Sequence, residues 1–337
     1  MEFISKKQRQ YKANLHCHST YSDGKMEPTQ LVQAYKEHGY SVLAITDHES
    51  TYDHTAYTTD DFVVLTGYEA YIRPSSTCVF DYYAPEIHLN LFAKDPHNLS
   101  IIAYDPPYCK YMPRELAESR PQASGIGPRK YSVEYINAFI DLARKAGYLV
   151  AYNHPNWSME SDENILNYEG IFSLEIFNTQ AMIENQNEYN LALYDKLLRN
   201  GKFMFCHGAD DNHNKVPMDS IQNDSFKSWT MIMAKDCTYE SVIHALEHGD
   251  FYASTGPEIY ELKFEKGHVH LECSPAQVIH MQLSPKKSLR VFNHDGSPVT
   301  AADFEIPQSA PYVYFSVISP DGTSAHTRAF RREEFEK

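Results

Sequence analysis

The stretch Asn14-Leu15-His16-Cys17-His18-Ser19-Thr20-Tyr21-Ser22-Asp23-Gly24 reads as a short strand that runs out into a polar loop. Side chains alternate faces along a strand, so His16 and His18 share one face and Cys17 points to the other. Two imidazoles on one face, followed closely by the Asp23 carboxylate, are the beginnings of a metal site with nitrogen and oxygen ligands. The pattern alone is common in a chain with 17 histidines. A second His-x-His, His268-Val-His270, has no accompanying signal and is given no role. What sets the first apart is the sequence that follows it.

Outward from this strand (11–18), the pattern alternates. A helix is expected at 28–38, with Pro28 in its first turn, Leu31, Val32 and Tyr35 as its apolar stripe, and Gly39 as its stop. Residues 41–46 form a continuous apolar strand of the kind covered on both faces. Further strands are predicted at 62–66, 87–93, 148–153, 173–177, 203–206 and 228–234, with helices at 132–146, 188–199 and 238–248. The segment 95–130 is rich in Pro and Tyr and lacks periodicity; it reads as a cover over the site, in which Tyr104, Tyr108 and Tyr111 offer stacking surfaces. Strands alternating with helices imply an α/β layer, either barrel or doubly wound. After Ser254-Thr255-Gly256-Pro257 the pattern changes to short strands at 259–264, 268–272, 278–282, 289–292 and 312–318, which implies a small all-β sandwich. The expected division is therefore 1–255 and 256–337.

Composition narrows the partners. The 337 residues carry a formal net charge of −15, which repels nucleic-acid backbones and anionic lipid and makes a polymeric nucleic acid a poor partner. A small anion held by bound cations remains compatible, because local metal charge overrides the global balance. No apolar run is long enough to span a membrane, and the polar, charged first twelve residues predict no signal peptide. The six cysteines, at 17, 78, 109, 206, 237 and 273, form no Cys-x-x-Cys pattern and read as reduced, buried thiols. A cytoplasmic location is the expectation.

Polar ionisable residues recur where the predicted strands end: His16, His18 and Asp23; Thr46-Asp47-His48; Gly67-Tyr68-Glu69; His88; His154-Pro155; and Asp210-Asp211-Asn212-His213. Ligands bind at this rim in parallel α/β folds. Any one of these groups reads equally well as a helix cap or a hydrogen-bonded core residue; six sets at six strands do not. Asp47 is expected either to orient a ligand imidazole or to cap a helix. His207 is left structural, although it lies close to the Asp211 loop.

As an ordered set, His16-Cys-His18, Ser22-Asp23-Gly24, Thr46-Asp47-His48, Gly67-Tyr-Glu69, His154-Pro155 and Asp211-Asn-His213 resemble the PHP (polymerase and histidinol phosphatase) family over roughly 11–255. Ser254-Thr255-Gly256-Pro257 with a β-rich tail is similar to a subset of it. The resemblance implies a distorted (β/α)7 barrel, with the small C-terminal all-β domain as an auxiliary part. It implies two or three divalent ions, Zn, Mn or Fe, at the strand ends. His16, His18, Glu69 and Asp211 would hold the first ion. Glu69 would bridge to a second, held also by His88 and His154. Asp23, His48 and His213 would form a third position. A carboxylate has two oxygens, so a bridging Glu69 is chemically reasonable. The implied activity is hydrolysis of a small phosphate ester by a metal-bound hydroxide held through Glu69 and Asp211. Arg129, Lys130 and Asn178 are the candidate substrate contacts, Arg being well shaped for phosphate. The alternatives are an exonuclease-like phosphodiesterase acting on nucleic-acid ends and a non-catalytic, metal-stabilised binding module. The oligomeric state is not legible.

Overall fold

The apolar runs become strands, and the longest of them carries the centre of the site. The computed structural model describes residues 1–74 and 83–335. The strands of the first part are β1 (Glu2–Ile4), β2 (Tyr11–Asn14), β3 (Val42–Ile45), β4 (Val63–Ile72), β5 (Ile87–Ala93), β6 (Ile101–Ile102), β7 (Gln122–Ala123), β8 (Tyr148–Tyr152), β9 (Ser173–Asn178), β10 (Phe205–Ala209), β11 (Trp229–Ile232) and β12 (Phe251–Ser254). Between them lie α1 (Pro28–Glu37), α2 (Arg114–Ser119), α3 (Val133–Lys145), α4 (Asp162–Asn167), α5 (Thr179–Asn185), α6 (Leu191–Arg199) and α7 (Tyr239–His248). The expected caps act locally: Ser132 Oγ accepts the Tyr135 N–H, starting α3, whose Ile136, Phe139, Ile140 and Ala143 are buried.

One long sheet has the order β10-β9-β8-β5-β4-β3-β2-β11-β12 and then continues into the C-terminal part. β2, β3 and β4 are parallel, as are β8, β9 and β10. β5 runs antiparallel to both β4 and β8, and β11 antiparallel to β2. The described strands form an α/β fold in which no closed barrel is detected, short of the (β/α)7 barrel expected from the sequence. β11 pairs with β2 on the edge away from β3 and with β12, and an isolated parallel bridge joins Cys17 to Asn212. The two ends of the seven-strand run meet through the residues just beyond them. The Asp211 N–H donates to His16 O at 2.9 Å and the His18 N–H to Asn212 O at 3.0 Å. Lower down, the Thr230 hydroxyl donates to Gly208 O at 2.8 Å and accepts the Gly208 N–H at 3.2 Å.

Beyond β12 come β13 (Ile259–Glu265), β14 (His268–Ala276), β15 (Val278–Ser284), β16 (Lys287–Val291), β17 (Val299–Glu305), β18 (Tyr312–Ile318), β19 (Ser324–Thr327) and β20 (Phe330–Arg331). β1, β13, β14 and β17 form a second sheet. Leu262, Phe264 and Leu271 from that sheet share one apolar core with Ile279, Phe315 and Val317 from β15 and β18. This is the alternating sandwich pattern the short strands predicted. β1, from a stretch with no predicted element, joins it by pairing with β13. The described cysteines, 17, 109, 206, 237 and 273, are buried and unpaired; Cys78 lies outside the described residues. No described helix is long and apolar enough to cross a membrane.

Candidate metal centre

Glu69 lies within β4, not beyond its end, because the strand continues past Gly67 to Ile72. A Cβ at Gly67 would stand 2.5 Å from Leu91 O, so only glycine lets β5 lie this close at that point. β5 being antiparallel also accounts for His88. It is the second residue of that strand, and the start of an antiparallel strand reaches the same rim as the ends of its parallel neighbours.

The nine ligand-type residues all gather here, most of them around the Glu69 carboxylate. Oε1 is 3.2 Å from His16 Nε2, 3.0 Å from His88 Nδ1 and 3.2 Å from His154 Nε2. Oε2 is 2.9 Å from His48 Nδ1 and 3.4 Å from His18 Nε2. Asp211 Oδ1 lies 3.1 Å from His16 Nε2 and 3.0 Å from His18 Nε2. Asp23 sits to one side, 3.3 Å from His213 Nε2 and 3.8 Å from His48 Nε2. The potential ligand sets overlap: His16, His18 and Glu69; His16, His154 and Asp211; His48, Glu69 and His88; and His18, Asp23, His48 and His213. His48 thus faces Glu69 through one nitrogen and Asp23 through the other.

These residues fit divalent cations. Glu69 Oε2, Asp211 Oδ1 and His48 Nδ1 are buried without a hydrogen-bond partner. Buried polar atoms normally have partners, and these three orphans, Glu69 Oε2 beside His48 Nδ1 and Asp211 Oδ1 beside the His16 and His18 rings, fit a site built for cations. Burial would raise the Glu69 carboxyl, but His88, His16 and His48 outweigh it and hold it well below the usual carboxylate range. Asp211 is held down in the same way, burial being outweighed by His16 and His18. Burial, with the neighbouring His213 and His48, pushes His18 down to about 3. Burial would also lower His16, His88 and His213, but the carboxylates facing them outweigh it and raise all three, His88 to about 10 and His213 to about 9. Cation binding here would therefore displace protons from these imidazoles.

A supporting layer fixes which nitrogen each ring presents. Glu175 Oε1 is 3.1 Å from His16 Nδ1, and its Oε2 accepts the His154 N–H at 2.8 Å. Glu86 Oε1 is 2.8 Å from His88 Nε2. His213 Nδ1 donates to Asp211 O at 2.9 Å. Asp47 caps no helix and touches no ligand ring directly. Its carboxylate accepts the Ser19 N–H at 2.8 Å and the Ser19 and Ser22 hydroxyls at 2.6 Å each. Ser22, its proton committed to Asp47, accepts from His18 Nδ1 at 3.3 Å and leaves Nε2 for the centre. Asp47 thus orients His18 only through the serine loop. That loop closes at Gly24, where a Cβ would stand 2.3 Å from His18 O. Two residues of the centre hold left-handed backbone, His154 at φ +24° and Asp211 at φ +54°. Such conformations cost on the order of 1–3 kcal/mol each and persist only where surroundings dictate them.

The centre opens into a cavity of about 290 Å³ whose wall includes Arg73, Lys110, Tyr111, Trp157 and Lys215. None of the three candidate substrate contacts lines this cavity. Arg129 has a fully buried side chain paired with Glu49. Asn178 is buried, with Nδ2 donating to Glu175 at 2.9 Å and Asp211 at 3.1 Å and Oδ1 capping α5, so it has no group free for a substrate. Lys130 is exposed and does not line the cavity. Of the three stacking candidates only Tyr111 lines the cavity; Tyr108 lies beneath Arg129, and Tyr104 packs beside Ile101 and Met112. His207 is buried against Ser173 Oγ at 2.8 Å. His270 groups with Glu261 and Glu272 at the surface, where Lys6 Nζ, 2.6 Å from Glu272, already supplies a cation.

The reading missed Glu175, Glu86, Trp157 and the cationic rim. Glu175 had a signal, a lone acid inside an otherwise apolar strand. Trp157 lies edge-on to His88 and His154, each at 4.9 Å, and had none.

Part of this arrangement lies in a segment similar to known proteins. Residues 14–112 match the PHP domain. That segment of the PHP match contains His16, His18, Asp23, His48, Glu69 and His88. A 5'-3' exoribonuclease of Haemophilus influenzae is 51% identical over 39 residues, a match spanning 12% of this chain and 14% of that relative. A two-domain protein from Bacteroides vulgatus, described as containing a predicted PHP-like metal-dependent phosphoesterase, aligns over 97% of this chain and 96% of its own, with 14% identity and a TM-score of 0.46. A candidate metal-dependent phosphoesterase from Bifidobacterium adolescentis aligns over 62% of this chain and 90% of its own, with 19% identity and a TM-score of 0.40.

Proposed function

We propose that the protein is a metal-dependent phosphoesterase acting on a small phosphate ester, with the first 255 residues catalytic and the β-rich remainder auxiliary. The observation that carries this reading is the pair of orphaned, buried carboxylate oxygens, Glu69 Oε2 and Asp211 Oδ1, faced by imidazole nitrogens. Bound Zn, Mn or Fe ions would supply Lewis acidity and a water activated near neutral pH. Glu69 would help to hold two ions. His16, His18 and Asp211 would complete one, and His88 and His154 the other. Asp23, His48 and His213 would form a third position.

The remaining steps belong to the chain itself. Arg73, Lys110 and Lys215 line the cavity beside Glu86 and Glu184, with Arg73 3.6 Å from Glu86, so bound cations would supply most of the positive charge that draws a phosphate ester inward. Trp157 covers the His88 and His154 rings, and its exposed edge offers an apolar surface to the leaving group.

A second reading, cleavage of phosphodiesters at nucleic-acid ends, is favoured by the short match to an exoribonuclease. The net charge of −15 weighs against a polymeric substrate. Metal-reconstituted protein assayed in parallel on small monoesters and on a labelled single strand separates the two. Release from monoesters alone supports the first reading; shortening of the strand with monoesters untouched supports the second.

A further inference from the structure

Glu49 and Arg129 belong to none of the metal groups, yet they are joined directly behind them. Arg129 closes the 95–130 segment, and its fully buried guanidinium grips the Glu49 carboxylate with both terminal nitrogens, Nη2 reaching Oε2 at 2.7 Å. Nη1 also donates to Tyr71 O at 2.7 Å, and the guanidinium lies over the Tyr108 ring at 4.5 Å. Glu49 follows His48 directly and holds a left-handed φ of +50°. Its N–H donates to Glu69 O at 2.8 Å, and its Oε1 accepts the Tyr71 N–H at 2.9 Å. The Tyr71 hydroxyl reaches Tyr108 O at 3.4 Å. Tyr71, Lys110 and Tyr111 all line the cavity.

One ion pair therefore touches the turn bearing His48, the strand bearing Glu69 and the segment bearing Lys110 and Tyr111. Buried pairs are weak devices for stability, because desolvation offsets their attraction. A two-pronged guanidinium–carboxylate contact is, by contrast, a strong device for fixing geometry. We propose that Arg129 is a positioning residue that, through Glu49, locks residues 104–112 against the His48 turn and so sets the width of the cavity above the metal groups. Its effect on turnover rests on the function proposed above; the lock itself does not.

The test is amide hydrogen exchange read by mass spectrometry on the full chain, comparing wild type with E49Q/R129M and R129K. The double variant removes both charges, so no lone buried ion is left to unfold the protein. It should exchange at least tenfold faster at 46–50 and 104–112, with β9 and β10 unchanged. R129K keeps the charge but not the fork and should fall between. On an ester that wild type turns over, the double variant should raise KM at least fivefold. Wild-type protection of both segments in the double variant would overturn the proposal. So would loosening spread evenly over the chain, which would make the pair a stability element only. If wild type turns over no ester, the functional reading fails by itself and the exchange data still decide the lock.

Discussion

The Glu175 carboxylate, buried in β9, lies 3.1 Å from His16 Nδ1 and leaves His16 Nε2 facing Glu69 and Asp211. A carboxylate behind a ligand imidazole fixes its tautomer and raises its basicity. Because Glu175 also accepts the His154 N–H, it organises two ligands at once. Glu175→Ala should therefore weaken metal binding by about 10–100-fold. Calorimetric titration of metal-free protein with Mn²⁺ or Zn²⁺ checks this; unchanged affinity would remove Glu175 from the centre.

Glu69 should be the least replaceable ligand, because five imidazoles face its two oxygens. Glu69→Gln keeps the shape but removes the charge that would balance two cations. It should lose at least one bound ion per chain and nearly all turnover, as read by elemental analysis beside the activity assay. Asp211→Ala and His16→Ala should behave alike.

Asp47 ties down the loop from Ser19 to Ser22 with three hydrogen bonds and is itself buried. Asp47→Ala leaves a buried N–H and two hydroxyls without their acceptor, a loss of about 1–3 kcal/mol for a group of this kind. The melting temperature should fall by several degrees, and affinity at the Asp23 position should fall with it. A variant that melts like wild type would show that the loop holds itself.

His326, in the sandwich, titrates independently of the metal groups. Burial pushes it from 6.5 down to about 3, while Tyr189 and Ser316 hydrogen-bond its ring. The unfolded chain takes up this proton near 6.5 and the folded chain does not. The stabilisation is therefore complete above 6.5 and is eroded as pH falls towards the folded value. The slope is about 1.4 kcal/mol per pH unit for one such group. His326→Gln should flatten part of the acid limb of a plot of melting temperature against pH. An identical acid limb in the variant would assign the loss to other groups, such as His54, pushed down to about 4 by burial.

Much of the centre was legible because its residues are announced locally. His16 and His18 share a strand face, Asp47 and His48 follow an apolar run, and Asp211 and His213 follow another. What was not legible depends on pairing across the fold. Nothing near Arg129 reveals that it meets Glu49, 80 residues away, so Arg129 and Lys130 read as candidate substrate contacts. Asn178 read as a strand-end polar residue, when its partners are Glu175 and Asp211. Strand direction was equally hidden: the apolar run at 87–93 looks the same in either orientation. Yet its antiparallel course brings His88 to the rim. β1 is only three residues long and owes its existence to β13.

The most direct test of the central claim is phosphate release by metal-reconstituted protein across a panel of small phosphate esters, with and without a chelator. The account predicts turnover of at least one class of ester, abolished by the chelator and restored by added divalent metal, and nearly absent in Glu69→Gln. Bound metal with no release from any ester, or release indifferent to the chelator, would contradict it.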